Sequence, residues 1–214
     1  MRKTVLLLML VFGLASCASQ FDSLDKPDKD KFKDAGFEYE GNTIRFTDPG
    51  IVLEVSYLSQ EGLDLYYSMY KGGRYKNPLP PGAYTAYSLS LQNKSQKSAS
   101  FNPQAATLLM KGGNPVHPKD FTMLYAELSL VSGDDVQERM DAFRATCLDS
   151  TVTLRPGERV DGLLVFPAEK GAKTEQAELL IESLYVGSKL YSVPLFFGKA
   201  PAQEKDKGKA AERP

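Results

Sequence analysis

The ten residues YTAYSLSLQN, from Tyr84 to Asn93, alternate: Tyr87, Leu89 and Leu91 fall on one side of an extended chain, and Ala86, Ser88 and Ser90 on the other. Successive side chains of a strand point to opposite faces, so the segment predicts a strand with one face in a core and one outside it. A helix would scatter those three apolar residues around its circumference.

The same grammar recurs along the chain. Runs rich in β-branched and aromatic residues, separated by Gly, Pro, Asn and Asp, predict further strands over 37–39, 43–47, 51–58, 63–70, 106–110, 151–154, 160–166, 177–186 and 189–197. Glu40-Gly41-Asn42 between the first two reads as a hairpin turn. Residues 163–166 are apolar on both faces, the pattern of a central strand. The segment 121–131 is ambiguous between strand and helix and is assigned as strand. One segment departs from the rhythm: Val136, Met140, Phe143 and Cys147 recur at helical spacing, and Asp134 with Gln137 three residues on resembles a capping box. Many short strands, no βα alternation and one amphipathic helix over 134–147 predict a mainly all-β chain, an antiparallel β-sandwich with one inserted helix.

Two landmarks sharpen this expectation. Tyr87, Leu89, Leu91 and Asn93 form Y-x-L-x-L-x-N, and Pro156, Gly157, Glu158, Gly162, Leu164 and Phe166 form P-G-E-x-x-x-G-x-L-x-F. Together they resemble bacterial extracytoplasmic immunoglobulin-like domains, over about residues 84–197. The resemblance implies an Ig-like sandwich in an exported or lipid-anchored protein with a binding or accessory role. Its motifs are fold motifs, and no catalytic residue carries over.

The amino terminus points the same way. Arg2 and Lys3 precede the apolar run 5–12, and Gly13, Ala15 and Ser16 supply small residues before Cys17. That order is a secretory signal peptide over 1–16, too short to span a bilayer as a helix. Leu14-Ala15-Ser16-Cys17 resembles the lipobox of bacterial lipoproteins, which implies a diacylglyceryl group on the Cys17 thiol, an acyl chain such as palmitate on its amino group, and cleavage before it. Multiple chains make such an anchor effectively permanent at about 0.8 kcal/mol per buried CH2. Ala18 in place of Asp implies, by the same resemblance, sorting to the outer membrane. An ordinary secreted protein cut at small residues is the alternative. The only other cysteine is Cys147, so the chain has no pair to spare for a disulfide inside its fold.

Residues 18–35 interleave Asp and Lys with few apolar residues and read as a solvated tether, holding the domain on the order of 20 to 25 Å from the lipid. Residues 199–214 are a polar tail of the same kind. The domain is therefore expected over 36–198. The whole chain carries a net charge of −1, and loss of Arg2 and Lys3 with the signal peptide makes it more acidic, which argues against nucleic acid as a partner.

The chemistry-bearing residues are few. His117, the one histidine, lies between Pro115 and Pro118 and reads as a loop residue. Glu158, Asp161 and Glu169 offer carboxylates for glycoside cleavage, but no recognised catalytic, phosphate-binding or metal-binding motif is present, and no cofactor is expected. Cys147 is expected to be a buried, inert thiol. The most suggestive stretch is 63–82, where Tyr66, Tyr67, Tyr70, Arg74 and Tyr75 precede a Pro-rich segment. Read as a strand, it puts Tyr66 and Tyr67 on opposite faces, one of them outside. The sequence thus predicts a non-catalytic module held at the membrane, with a protein partner in the envelope. A ligand- or glycan-binding lipoprotein using those tyrosines is the alternative, and an envelope hydrolase a weaker one.

Overall fold

The computed structural model describes residues 36–70, 75–130, 136–168 and 173–198. The expected signal peptide, Cys17, the expected tether, Arg74, Asp134, Glu169 and the expected tail lie outside them.

Among the described residues ten strands form two antiparallel sheets. The first has the order β1(Phe37–Glu40), β2(Thr43–Asp48), β3(Ile51–Leu58), β4(Tyr84–Asn93), β8(Arg159–Pro167). The second runs β10(Lys189–Gly198), β9(Lys173–Val186), β5(Ala99–Phe101), β7(Val152–Leu154), and β6(Thr107–Lys111) pairs with the other half of β9. The expected hairpin is present, with Glu40 pairing Thr43 across a two-residue turn: Gly41 adopts φ +61 and β1 folds back on β2. The core lies between the sheets. Val55, Tyr57, Tyr87, Leu89 and Phe166 of the first sheet meet Phe101, Leu108, Leu179, Leu195 and Phe197 of the second, all buried. The alternation of β4 is therefore realised from Tyr87 to Leu91, while Ala86, expected outside, is buried on the other face.

In β9 the inward positions are Ala177, Leu179 and Ile181, then Leu184 and Val186. This one-residue slip in the alternation coincides with a bulge, where the pairing with β10 jumps from Tyr191 to Val193 and Ser183 takes φ +52. β10 keeps its alternation unbroken through Tyr191, Val193, Leu195 and Phe197.

Among the described residues three α-helices accompany the sheets, where the sequence predicted one helix. α3(Val136–Thr146) is that one, with Met140 and Phe143 buried on its inner face. Two segments read as strands are helices. α1(Gln60–Met69) replaces the strand over 63–70: Ser59 caps it by accepting the Gly62 amide, and Leu63 and Tyr67, four apart, point inward. α2(Phe121–Ser129) replaces the strand over 121–131: Asp120 accepts the Met123 amide, and Leu124 and Leu128 are buried. In both, the cap and the i, i+4 apolar pair override the β propensity of the aromatic residues.

The helices form a layer on the outer face of the first sheet, where Leu63, Tyr67, Leu124, Ala142 and Phe143 cover Ala86, Leu163 and Val165. This explains why β8 is apolar on both faces. It is the last strand of its sheet rather than a central one, with Leu164 and Phe166 in the sandwich core and Leu163 and Val165 under the helices. Its open edge is occupied as well: the Leu148 amide donates to the Leu163 carbonyl at 2.9 Å and the Lys119 amide to the Val165 carbonyl at 2.7 Å.

Candidate functional site

The residues of the two fold motifs stitch loops together. Asn93 is fully buried at the end of β4. Its Nδ2 donates to the carbonyls of Lys97 (2.7 Å) and Leu154 (3.0 Å), and its Oδ1 accepts from the Ser95 amide and hydroxyl. Its backbone exchanges two further bonds with the turn before β8, accepting from Gly157 and donating to Glu158. Gly157 holds φ +84 in that turn, and Glu158 closes it by accepting the Arg155 amide at 2.7 Å. Gly162 is required by close approach, since a Cβ there would lie 2.6 Å from Leu148 Cγ and 2.8 Å from the Thr146 carbonyl.

The tyrosines gather on α1. Spacings of three and four put Tyr66, Tyr67 and Tyr70 on the helix side that meets the layer, where Tyr66 stacks on Tyr70 at 5.8 Å, Tyr67 meets Tyr66 edge-on at 5.7 Å and Tyr75 joins Tyr70 at 6.2 Å. The expectation that Tyr66 and Tyr67 lie on opposite faces is corrected by the helix. Tyr67 is fully buried and shares a hydrogen bond with the Thr146 hydroxyl at 3.1 Å, while Tyr70 donates to the Ala145 carbonyl at 2.6 Å. Both hydroxyls bind α1 to the end of α3. Burial raises the phenols of Tyr66 and Tyr67 above their ordinary value. Tyr66, Tyr70 and Tyr75 are half-buried, and α1 turns Leu65 and Met69 to solvent instead.

Other titratable groups have structural partners. His117 sits in the connection between β6 and α2, with Nδ1 3.0 Å from the Ala106 carbonyl. Glu127 of α2 receives Lys119 Nζ (2.6 Å) and the Tyr84 hydroxyl (2.7 Å), and the lysine bond holds its carboxyl below the usual range. Cys147 follows α3, half-buried, and burial pushes its thiol up, away from the reactive thiolate. Asp161 is held by Arg159 Nε at 2.8 and 3.1 Å, and Glu158 by its own turn, so each acid is engaged locally. Among the described residues, no group of three or more His, Cys, Asp or Glu is placed to hold a metal ion, and no helix is long and apolar enough to cross a membrane.

No family model matches the chain, and no curated protein matches it in sequence. Among solved structures it is similar to the yjhA protein of Bacillus subtilis at 14% identity, over 64% of this chain and 76% of that one, with a TM-score of 0.36. It is similar to ycdA of Bacillus subtilis subsp. subtilis str. 168, a candidate lipoprotein, at 16% identity and a TM-score of 0.38, over 72% of this chain but only 38% of that longer one. The FixG-related protein of Vibrio parahaemolyticus matches at 13% identity, over 72% and 98% of the two chains, with a TM-score of 0.35. Likenesses this distant carry no argument about function.

One feature of the outer sheet face escaped the sequence reading. The helical layer covers Ala86, Leu163 and Val165 on that face, and Tyr66 lines a cavity beside it. Beyond it the register lines up Thr43, Ser56 and Ser88 across β2, β3 and β4, and then Arg45, Glu54, Ser90 and Asp161 across β2, β3, β4 and β8. A cavity of about 230 Å³ opens there, lined by Tyr66, Ser88, Ser90 and Asp161 among others. YTAYSLSLQN carries only part of the signal, in its small outward residues, since the trough itself needs the register of β2, β3 and β8 beside it.

Proposed function

We propose that this is a lipid-anchored envelope protein, held through Cys17 at the outer membrane, whose Ig-like sandwich serves as a non-catalytic binding or assembly module. The observation that carries the reading is the use made of its motif residues. Asn93, Gly157, Glu158 and Gly162 all hold the sandwich together, as expected of a display scaffold. The order of residues up to Cys17 supports export and acylation, and the tether of residues 18–35 would keep the module close to the membrane while it samples partners, raising effective concentration for weak contacts.

The α1 face bearing Leu65 and Met69 gives the partner search a starting point, since both aliphatic side chains are more than half exposed. A photo-crosslinking residue at Met69 in cells is expected to trap a defined envelope protein. The same residue at Asp64, also on α1, serves as comparison, and crosslinks that never exceed background at any exposed position would count against the assembly reading.

A further inference from the structure

The part of the outer face beside the helical layer differs from an ordinary solvated strand surface. Exposed strand positions favour β-branched and long side chains, whereas here three serines, Ser56, Ser88 and Ser90, occupy adjacent places on the two strands at the middle of the sheet. Ser56 and Ser88 are direct cross-strand partners. Their short side chains leave a depression, and longer ones rim it: Tyr66 on the helical side, Arg159 and Asp161 on β8, Arg45 and Glu54 on β2 and β3. A second cavity of about 440 Å³ lies beside the first and shares Thr43 and Glu54 with it, reaching Glu38 and Glu40 on β1. The trough therefore crosses the sheet from β8 to β1, about 19 Å at a strand spacing of about 4.8 Å.

Its chemistry selects a ligand class. Serine and threonine hydroxyls both donate and accept, carboxylates accept from neighbouring hydroxyls in pairs, and guanidinium groups donate. The half-buried Tyr66, which lines the cavity at its border, adds aromatic surface and a hydroxyl. That combination suits a molecule with many hydroxyls and apolar ring faces. Anions are disfavoured. Four carboxylates face two guanidinium groups, and both cations are already engaged, Arg159 with Asp161 at 2.8 Å and Arg45 with Glu54 at 3.5 Å.

We propose that the trough binds an uncharged oligosaccharide laid across β2, β3, β4 and β8, with one sugar ring against Tyr66. This deepens the binding-module reading by naming the ligand class, and it moves the ligand contact from the tyrosine cluster as a whole to the sheet face beside a single member of it.

The test is calorimetric titration of the full chain, purified from membranes in a detergent without sugar headgroups. The probes are uncharged tri- to hexasaccharides of glucose, galactose, mannose and N-acetylglucosamine, each beside its sulfated counterpart. At least one uncharged member is expected to bind with Kd below about 1 mM. Asp161→Ala, at an exposed position, and Ser90→Tyr, which fills the trough, should each weaken it at least tenfold at an unchanged unfolding midpoint, while Leu190→Ser, exposed on β10 of the other sheet, leaves it alone. No saturable binding of any uncharged member at 10-fold higher concentration, binding of sulfated members only, or full binding by both trough variants would overturn the proposal. Failure here leaves the Cys17 anchor untouched, because acylation is read independently by mass.

Discussion

Tyr191 on β10 donates its hydroxyl to Asp48 at the end of β2, 2.6 Å away, and so ties one sheet of the sandwich to the other. The same carboxylate accepts from Lys189 Nζ at 3.1 Å and from the Gly50 amide at 3.3 Å, and the lysine also lies 4.3 Å from the Tyr191 ring. The bond from Tyr191 is the largest influence holding the Asp48 carboxyl below its usual value. Gly50 keeps the approach open, since a Cβ there would sit 3.1 Å from the Tyr191 hydroxyl.

Tyr191→Phe is expected to lower stability by about 1 to 2 kcal/mol, as for loss of one hydrogen bond to a charged group. The effect has a sign in pH. A carboxyl whose folded pKa is depressed contributes fully above its unfolded value, about 3.9, and the contribution disappears as pH falls through the lower folded value. Urea unfolding of wild type and Asp48→Asn at pH 7 and at pH 3 checks this: the difference between them should be present at the first and shrink at the second. A gap that widens on acidification would contradict the arrangement.

Tyr87 predicts the opposite response to the same change. Its ring is fully buried in the core against Tyr57, Phe166 and Phe197, and its hydroxyl has no hydrogen-bond partner among the described residues. A buried polar group without a partner costs about 1 to 3 kcal/mol, so Tyr87→Phe should leave stability unchanged or raise it by about 1 kcal/mol. A loss comparable to that of Tyr191→Phe in thermal unfolding would show that the hydroxyl does have a partner.

Gly162→Ala tests the close packing behind the second motif. The new methyl would meet Leu148 and the Thr146 carbonyl inside normal contact distance, and overpacking of this kind costs about 1 to 3 kcal/mol. Adding Leu148→Ala should recover only part of the loss, because the carbonyl contact remains and a cavity is created. Full recovery in the double variant, measured by chemical denaturation, would mean that the backbone approach at Thr146 is not limiting.

The identity of α1 makes a prediction that separates helix from strand. In a strand, Leu63, Leu65, Tyr67 and Met69 would share one face and behave alike. In the helix, Leu65 and Met69 are exposed while Leu63 and Tyr67 are buried. Leu65→Ser and Met69→Ser are thus expected to stay within about 0.5 kcal/mol of wild type, and Tyr67→Ala to cost about 3 to 5 kcal/mol. Equal losses at Leu65 and Tyr67 would restore the strand.

What the sequence disclosed follows from these particulars. Period-two patterns with a clear inside and outside, as in β4 and β10, could be read directly, and so could the 3.6-residue face of α3. Residues 63–70 could not be read from composition, because three tyrosines raise β propensity over a segment whose Ser59 cap and Leu63, Tyr66, Tyr67, Tyr70 spacing are helical. Residues 163–166 look central because a helical layer substitutes for a neighbouring sheet, and nothing in the strand itself distinguishes the two coverings. The slip in β9 was visible as a break between Ile181 and Leu184, but its meaning as a bulge needed the partner strand. The trough depends on register between strands far apart in the chain, which no single segment encodes.

The central claim is that the module is held at the membrane through Cys17. Intact mass of the protein purified from a bacterial host, wild type beside Cys17→Ala, tests it most directly. A wild-type chain beginning at Cys17, with a multi-acyl mass increment and pelleting with outer membranes, is expected, beside a Cys17→Ala chain without that increment. An unacylated, soluble wild-type chain would contradict the anchor and leave Cys17 as a free thiol in a secreted protein.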